Sequence, residues 1–312
     1  MSISFYADGV ENGANLRRIE DAARLLGMMC STSVDGRLIA IENTPGARDV
    51  YGRKRLRDDA TIAVGNERRG ISRKLLATAD ETVVIPTQSR TVTTLNVAAA
   101  AAVAGWFLLR GSGPQATATR PEHRRPALLL VGDDHVEVGS SLRSAAAFGF
   151  RDVLLEDRGA GWFAGSSNVR REARAAARRH KNPLRVHPTT LVESASRYDE
   201  IVVVTASGAG RPLSRERLAR GLRQLVIVGA KPEEAPPVAG RHVTVASLGL
   251  EPMEHEPLRL TASIVLAEIA RQVGRRRPVA GPPRRVPRYE QAIEPAPCAE
   301  VLLVDQAELL AF

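Results

Sequence analysis

Short apolar runs alternate with helical patterns along the first third of the chain. The segments 37–42 (RLIAIE), 60–65 (ATIAVG) and 81–86 (ETVVIP) are apolar and bounded by turn residues, which is typical of buried strands. Before them, the segment 16–28 has helical spacing of its apolar residues, and after them the segment 96–109 is a longer apolar run that indicates a buried helix. Strands that alternate with helices predict an α/β fold with a parallel sheet.

The second part of the chain repeats this plan. Its strand-like runs are 126–132, 151–157, 200–206, 224–230 and 242–248, and its helical patterns include 139–150, 171–182 and 258–273. Two α/β units of similar order indicate an internal duplication. We therefore predict one domain over 1–110, a Gly-, Pro- and Arg-rich interdomain linker over 111–126, a second domain over 127–274 and a Pro- and Arg-rich C-terminal extension over 275–312.

The chain is basic, with 44 Lys and Arg against 35 Asp and Glu and a net charge of +9 over 312 residues. Such an excess favours a polyanionic partner, and nucleic acid is the commonest one. A GC-rich genome, whose codons favour arginine, is the alternative explanation. The candidate RNA contacts are the cations of one basic helix, Arg170, Arg171, Arg174, Arg178, Arg179 and Lys181. A merely solvated helix face is the alternative for them.

Several classes of protein are disfavoured by the sequence. The two cysteines, Cys30 and Cys298, form neither a disulfide framework nor a metal-binding spacing, so we expect a reducing, cytoplasmic location and no metal. The N-terminus does not resemble a signal peptide. The longest apolar run, at 97–109, is too short and too rich in alanine to span a bilayer, so we expect no membrane association.

A glycine turn with an acid inside it follows one strand of the first half. Gly65 and Gly70 bracket this turn, and Glu67 lies within it. Parallel sheets bind ligands at the carboxyl ends of their strands, where this turn and the end of the next strand, at Pro86, both lie. Each turn alone could be an ordinary strand-to-helix connection. Together they predict a ligand pocket.

The segments G-N-E-R-R-G-I-S, I-P and T-L-N-V-A-A-A-A-A together closely resemble the second and third motifs of the SpoU/TrmH branch of the SPOUT methyltransferases. The resemblance covers roughly 1–110. It implies a trefoil-knotted α/β domain that binds S-adenosylmethionine and methylates a ribose 2′-hydroxyl in tRNA or rRNA. The cofactor-binding positions that it implies are Gly65, Asn66, Glu67, Gly70, Ile85, Thr87, Leu95 and Asn96. The spacing from Ile85 to Asn96 is one residue longer than the family pattern.

The arginine of the family's first motif is displaced in this chain. In the first half, Asn12 and Asn15 fit the asparagine pair of this motif, but Asp21 stands at the arginine position, and an acid cannot replace a guanidinium. In the second half, the segment 134–150 resembles the same motif and carries Arg143 at the arginine position. The later motifs are missing there, because 228–234 lacks the glycine turn and no Leu-Asn pair precedes the final helix.

Members of this family usually work as homodimers with active sites close to the dimer interface. We therefore hypothesise two SPOUT-type α/β-knot domains in tandem that form an intramolecular pseudo-dimer, so that the chain is a functional monomer. One composite site would combine Glu67, Thr94 and Asn96 of the first half with Arg143 of the second. The alternative is that Arg143 only pairs with an acid on a helix face.

Three functions follow from these interpretations. The resemblance implies an RNA 2′-O-ribose methyltransferase. Because a guanidinium is a poor proton acceptor, physical chemistry favours Arg143 as a clamp on a neighbouring phosphate that orients the hydroxyl, and the family's proposal that this arginine acts as the base is the alternative. Glu67 and Asn96 would fix the loop and orient the ribose. The same pocket could instead serve a protein or a small-molecule acceptor. The third possible function is binding of RNA or cofactor without catalysis, because Asp21 replaces the usual arginine.

Overall fold

The computed structural model describes residues 2–89, 92–160, 184–208, 210–234 and 242–276. The elements of the first half are β1 (Ile3–Asp8), α1 (Gly13–Leu25), β2 (Met29–Ser31), β3 (Arg37–Ile41), β4 (Arg48–Asp49), β5 (Ala60–Gly65), α2 (Arg73–Thr78), β6 (Glu81–Val84) and α3 (Val97–Arg110). The elements that follow are β7 (Thr117–Ala118), β8 (Ala127–Val131), α4 (His135–Ala147), β9 (Asp152–Glu156), β10 (Arg185–Pro188), α5 (Leu191–Ala195), β11 (Glu200–Thr205), β12 (Arg211–Pro212), β13 (Gln224–Val228), β14 (His242–Ser247), α6 (Leu258–Val273) and β15 (Arg275–Arg276).

These strands form two main sheets with the same internal order. The first sheet runs β2-β1-β5-β3-β6-β4, and the second runs β10-β9-β8-β13-β11-β14-β12. All pairings between these strands are parallel. When the edge strand β10 is set aside, each strand of the first sheet has a counterpart at the same place in the second. The predicted α/β fold with parallel sheets is confirmed.

The first helices of the two halves also match in detail. Helices α1 and α4 each have 13 residues, and each begins after a side-chain cap. Asn12 accepts from the backbone N–H groups two and three residues later, and Asp134 does the same for α4. This cap makes α4 begin at His135, four residues before the start of the predicted helix, because the carboxylate satisfies its first free N–H groups.

A continuous hydrophobic core joins the two halves. Phe5 and Phe107 of the first half and Phe148 of the second belong to one buried cluster. Two buried polar groups also bond across the halves: the Tyr51 hydroxyl donates to the Ala267 carbonyl at 3.1 Å, and the Trp106 indole N–H donates to the Leu248 carbonyl at 3.2 Å. Burial raises the pKa of Tyr51, so its hydroxyl keeps the proton that it donates.

The segment 111–126 is more ordered than the sequence pattern of a linker indicates. Strand β7 within it pairs with β15 just after α6. The backbone N–H of Ala116 also donates to the carbonyl of Arg271 at 2.9 Å, and the Arg275 N–H donates to the Ala116 carbonyl at 2.9 Å. Pairing with a distant strand satisfies backbone N–H and C=O groups that the local sequence pattern predicts to be exposed to solvent.

Candidate active site

The glycine turn at the end of β5 is closed by its own backbone. Asn66 and Gly70 exchange two hydrogen bonds, at 3.0 Å and 2.9 Å. Gly70 has a φ of +67°, and a Cβ added at Gly65 would lie 2.2 Å from the Gly70 carbonyl carbon. The side-chain amide of Asn66 donates to the Gly9 carbonyl at 2.7 Å. Both glycines are therefore required by the turn itself, which presents Glu67 to solvent at the carboxyl edge of the sheet.

Asn15 connects Glu67 to Asn96 in one hydrogen-bonded chain. The buried Asn15 amide donates to Glu67 Oε1 at 2.5 Å, and its oxygen accepts from Asn96 Nδ2 at 3.0 Å. Asn96 is also the cap of α3, where its side-chain oxygen accepts from the Ala98 N–H at 3.0 Å. The first, second and third predicted motifs therefore meet at one point, and the position of Glu67 depends on the start of α3.

Arg143 of the second half contacts the first half at this same point. Its guanidinium donates to Thr94 Oγ1 at 3.1 Å, two residues before Asn96. Burial lowers the pKa of Arg143. Within the described ranges, no carboxylate lies within ion-pair distance of Arg143, which disfavours the alternative of a simple ion pair on a helix face. The guanidinium thus retains donors and charge for a ligand.

The loop after β6 is held by the second half. The backbone N–H groups of Gln88 and Ser89 both donate to the Ala147 carbonyl, at 2.8 Å and 3.1 Å. The Gln88 side-chain amide also donates to the carbonyls of Ala270 and Gly274, each at 3.2 Å. Ala147 lies one helical turn after Arg143 on α4. One helix therefore positions both the arginine and the loop.

The remaining predicted cofactor contacts lie around this loop. Ile85 and Leu95 are half-buried and pack against the core cluster, and Thr87 donates to the Thr93 carbonyl at 3.4 Å. The two apolar side chains leave part of their surface open near the ends of β6 and the start of α3. The six predicted RNA contacts of the segment 170–181 lie outside the described residues.

At the matching point of the second half, an ion pair replaces the amide pair. Glu137 is the third residue of α4, as Asn15 is the third of α1. Its carboxylate accepts from Arg259 Nε at 2.8 Å, whereas Asn15 accepts from the Asn96 amide. Glu137 is 5% exposed and Arg259 is 2% exposed, so the pair is buried. The second half has thus exchanged the polar link of the first for a charged one.

Asp21, the acid at the family's arginine position, is held by its own helix. Arg18 donates to Asp21 at 2.7 Å and also to Glu137 of the second half at 2.9 Å. Arg24 lies 3.6 Å from the other Asp21 oxygen. Asp21 therefore belongs to an ion-pair network that joins the two halves through Arg18 and Glu137.

The second half nevertheless keeps a cavity of about 740 Å³. It lies at the carboxyl ends of β8, β11 and β13, and the charged residues that line it are Arg18, Asp133, Asp134, Glu137, Arg158, Lys231, Glu233, Glu254 and Glu256. Burial raises the pKa of Glu256 there. This concave site is therefore lined by more acids than bases.

Two residues of the site were not among the predicted contacts. Asn15 is the centre of the network around Glu67, and its N-G-A-N context was the available sequence signal. Glu42 follows β3, and its carboxylate accepts from the Ile71 N–H at 2.8 Å, which fixes the far side of the glycine turn. Nothing in the local sequence distinguishes Glu42 from a surface acid.

The described residues contain no group of three or more His, Cys, Asp or Glu side chains that could hold a metal ion. No helix among them has the length and apolar character that a membrane crossing requires.

About the first third of the chain matches a known protein family. Residues 10–106 match the profile of the SpoU rRNA Methylase family. No curated protein matches the chain. A crystal structure of the SpoU methyltransferase AviRb from Streptomyces viridochromogenes is 13% identical, with a TM-score of 0.32 over 83% of this chain and 87% of that one. Its complex with the cofactor AdoMet is 11% identical, with a TM-score of 0.32 over 84% and 89%.

The family match and the sequence motifs agree on the part of the chain that they identify. The match spans the turn at Gly65, the loop after β6 and most of α3, which are the elements that meet at Asn15. The resemblance to the SpoU branch of the SPOUT methyltransferases is confirmed for residues 10–106.

Proposed function

We propose that this chain transfers the methyl group of S-adenosylmethionine to a ribose 2′-hydroxyl of tRNA or rRNA. One composite active site between the halves would carry the reaction. The observation that supports this proposal most directly is the hydrogen bond from Arg143 to Thr94, because it brings the arginine of one half to the motif residues of the other. The equal strand order of the two sheets supports two SPOUT-type knot domains in tandem.

The residues of the first half suit this cofactor. Half-buried Ile85 and Leu95 offer apolar surface for an adenine ring beside backbone groups at the strand ends. Glu67 and Thr94 add polar groups at the exposed edge. When bound, the cofactor supplies an electrophilic methyl group. The protein must then hold the acceptor oxygen in line with that methyl group.

Arg143 is proposed to hold the RNA rather than to act chiefly as a base. A guanidinium binds a phosphate through two parallel donors, and such a contact next to the ribose fixes the direction of its 2′-hydroxyl. Burial lowers the pKa of Arg143, which eases proton loss, but a guanidinium stays protonated and is therefore a poor general base. Glu67, fixed through Asn15 and Asn96, would orient the ribose and the loop.

The test is transfer of labelled methyl from S-adenosylmethionine to unmodified tRNA and rRNA. We expect incorporation into one RNA class, and nuclease digestion should then yield a 2′-O-methylated dinucleotide that resists cleavage. Label in a protein or a small molecule instead would contradict the RNA proposal and favour the alternative acceptor. Cofactor binding without any transfer would favour a non-catalytic binder.

We also propose that the chain is a functional monomer in the cytoplasm. The shared core of the two halves supports a monomer that acts as a pseudo-dimer, because each half covers the face that a partner subunit would cover. A free, exposed Cys30 agrees with the proposed reducing cytoplasm.

A further inference from the structure

A cleft of about 480 Å³ lies beside the C-terminal end of α6. Four arginines dominate it, and among the described residues no acid lines it. The lining residues are Ala116, Arg124, Arg217, Ala219, Arg220, Arg271 and Gln272. We call this the arginine cleft.

Part of its positive charge is uncompensated. Arg271 pairs with Glu268 at 2.5 Å, and Arg220 pairs with Glu200 at 2.6 Å. No carboxylate in the described part of the chain lies within ion-pair distance of Arg124 or Arg217. The C-terminal end of a helix adds only about half a negative charge. The arginine cleft therefore attracts anions.

The frame of the arginine cleft is fixed before any ligand binds. The Gln272 side chain accepts from the Leu218 N–H and donates to the Glu216 carbonyl, each at 2.8 Å. The Arg124 guanidinium donates to the Val273 carbonyl at 3.3 Å. These contacts hold the end of α6 against the segment that carries Arg217. Such prior ordering reduces the entropy that binding must overcome.

The arginine cleft is connected to the candidate active site. Arg271 follows Ala270, whose carbonyl accepts from the Gln88 side chain at 3.2 Å. Gln88 lies in the loop after β6, next to the predicted cofactor contact Thr87. Arg125, the neighbour of Arg124, also donates to the Gln88 side-chain oxygen at 2.5 Å. A polyanion in the arginine cleft would thus lie beside the loop that borders the methyl-transfer site.

We propose that the arginine cleft binds a backbone phosphate of the substrate RNA, outside the nucleotide that is methylated. The identity of this polyanion rests on the proposed function, whereas the affinity for phosphate rests on the four arginines alone. Phosphate contacts of this kind position an RNA without reading its sequence. Free phosphate is the other source of the same chemistry.

The experiment compares the salt dependence of tRNA binding in two variants. Arg217 and Arg220 are exposed, so the double variant Arg217→Gln, Arg220→Gln should fold. Each lost phosphate contact should reduce the slope of log K against log salt by about 0.7 to 0.9. The matched control combines Arg197→Gln with Arg223→Gln, which also removes two exposed arginines, neither of which lines the cleft.

We expect a smaller slope and weaker tRNA binding for the double variant, a wild-type slope for the control, and equal affinity for S-adenosylmethionine in all three proteins. A wild-type slope in the double variant would overturn the proposal. A second measurement is the increase in thermal stability that inorganic phosphate gives to each protein. If the double variant loses this increase but keeps the wild-type tRNA slope, the cleft holds free phosphate and the proposal is also overturned. If tRNA is bound in this way but no RNA is methylated, the cleft stands and only the proposed function fails.

Discussion

At the scale of single residues, Arg143 is the clearest test of the composite site. It belongs to the second half, yet its nearest polar contact is Thr94 of the first. We expect Arg143→Ala to reduce kcat by about 100-fold or more, because it removes a charged positioning group, while cofactor affinity stays unchanged. Arg143→Lys should recover little, since an ammonium cannot make the planar two-donor contact. Single-turnover methyl transfer measures both effects.

The control for this prediction is Arg197→Ala in the same half. Arg197 is exposed, and among the described residues its ion-pair partner is Glu193 four residues earlier, so the variant should transfer methyl groups at the wild-type rate. Wild-type activity in Arg143→Ala would remove the composite site from consideration. Equal losses in both variants would indicate a general effect of charge on RNA binding.

The contiguous motifs of the sequence predict Glu67, Thr94, Asn96 and Arg143 as site residues. The structure brings these positions together through the Asn15 network and the Arg143–Thr94 hydrogen bond, while their roles in catalysis stay predictions. Asn15 was not chosen as a contact, because its partners lie 52 and 81 residues away in the chain. Its role follows from the parallel sheet, which brings the carboxyl ends of distant strands together.

At the scale of elements, the link between the first and last helices distinguishes the two halves. The first half uses the Asn15–Asn96 amides, and the second uses the buried Glu137–Arg259 pair. We expect Glu137→Gln to lower the free energy of unfolding by about 3 kcal/mol, because Arg259 would remain charged and buried without a carboxylate. Denaturant unfolding measures the difference.

An exposed ion pair provides the comparison for this effect. Glu193→Gln breaks the contact with Arg197, and exposed pairs contribute between about 0 and 1 kcal/mol. Equal, small effects in both variants would show that the Glu137–Arg259 pair does not stabilise the junction of α4 and α6.

The elements themselves were largely predictable, because their patterns are local. The helix at 258–273 has the predicted bounds, and α3 follows the predicted apolar run. The start of α4 and the pairing of β7 with β15 could not be predicted from the local sequence, for two different reasons. The first depends on a capping side chain outside the apolar pattern, and the second depends on a strand more than a hundred residues away.

At the scale of the whole molecule, the structure predicts asymmetry. Among the described residues, only the first half combines the glycine turn with the asparagine network, so we expect one S-adenosylmethionine per chain in calorimetric titration. Light scattering should give a mass near 33.6 kDa, that of one chain. Two cofactors per chain would show that the cavity of the second half also binds it. A mass twice as large would contradict the pseudo-dimer.

The network around Glu137 also restricts the order in which such a chain could have diverged after a duplication. Arg18 lies on the other half and donates to Glu137 at 2.9 Å, so a glutamate there has a cationic partner even without Arg259. Arg259 is 2% exposed, and its side chain depends on that glutamate. A duplicated copy with two asparagines could therefore acquire the acid first and the arginine second at low cost. The reverse order passes through a buried, unpaired cation, which selection would remove.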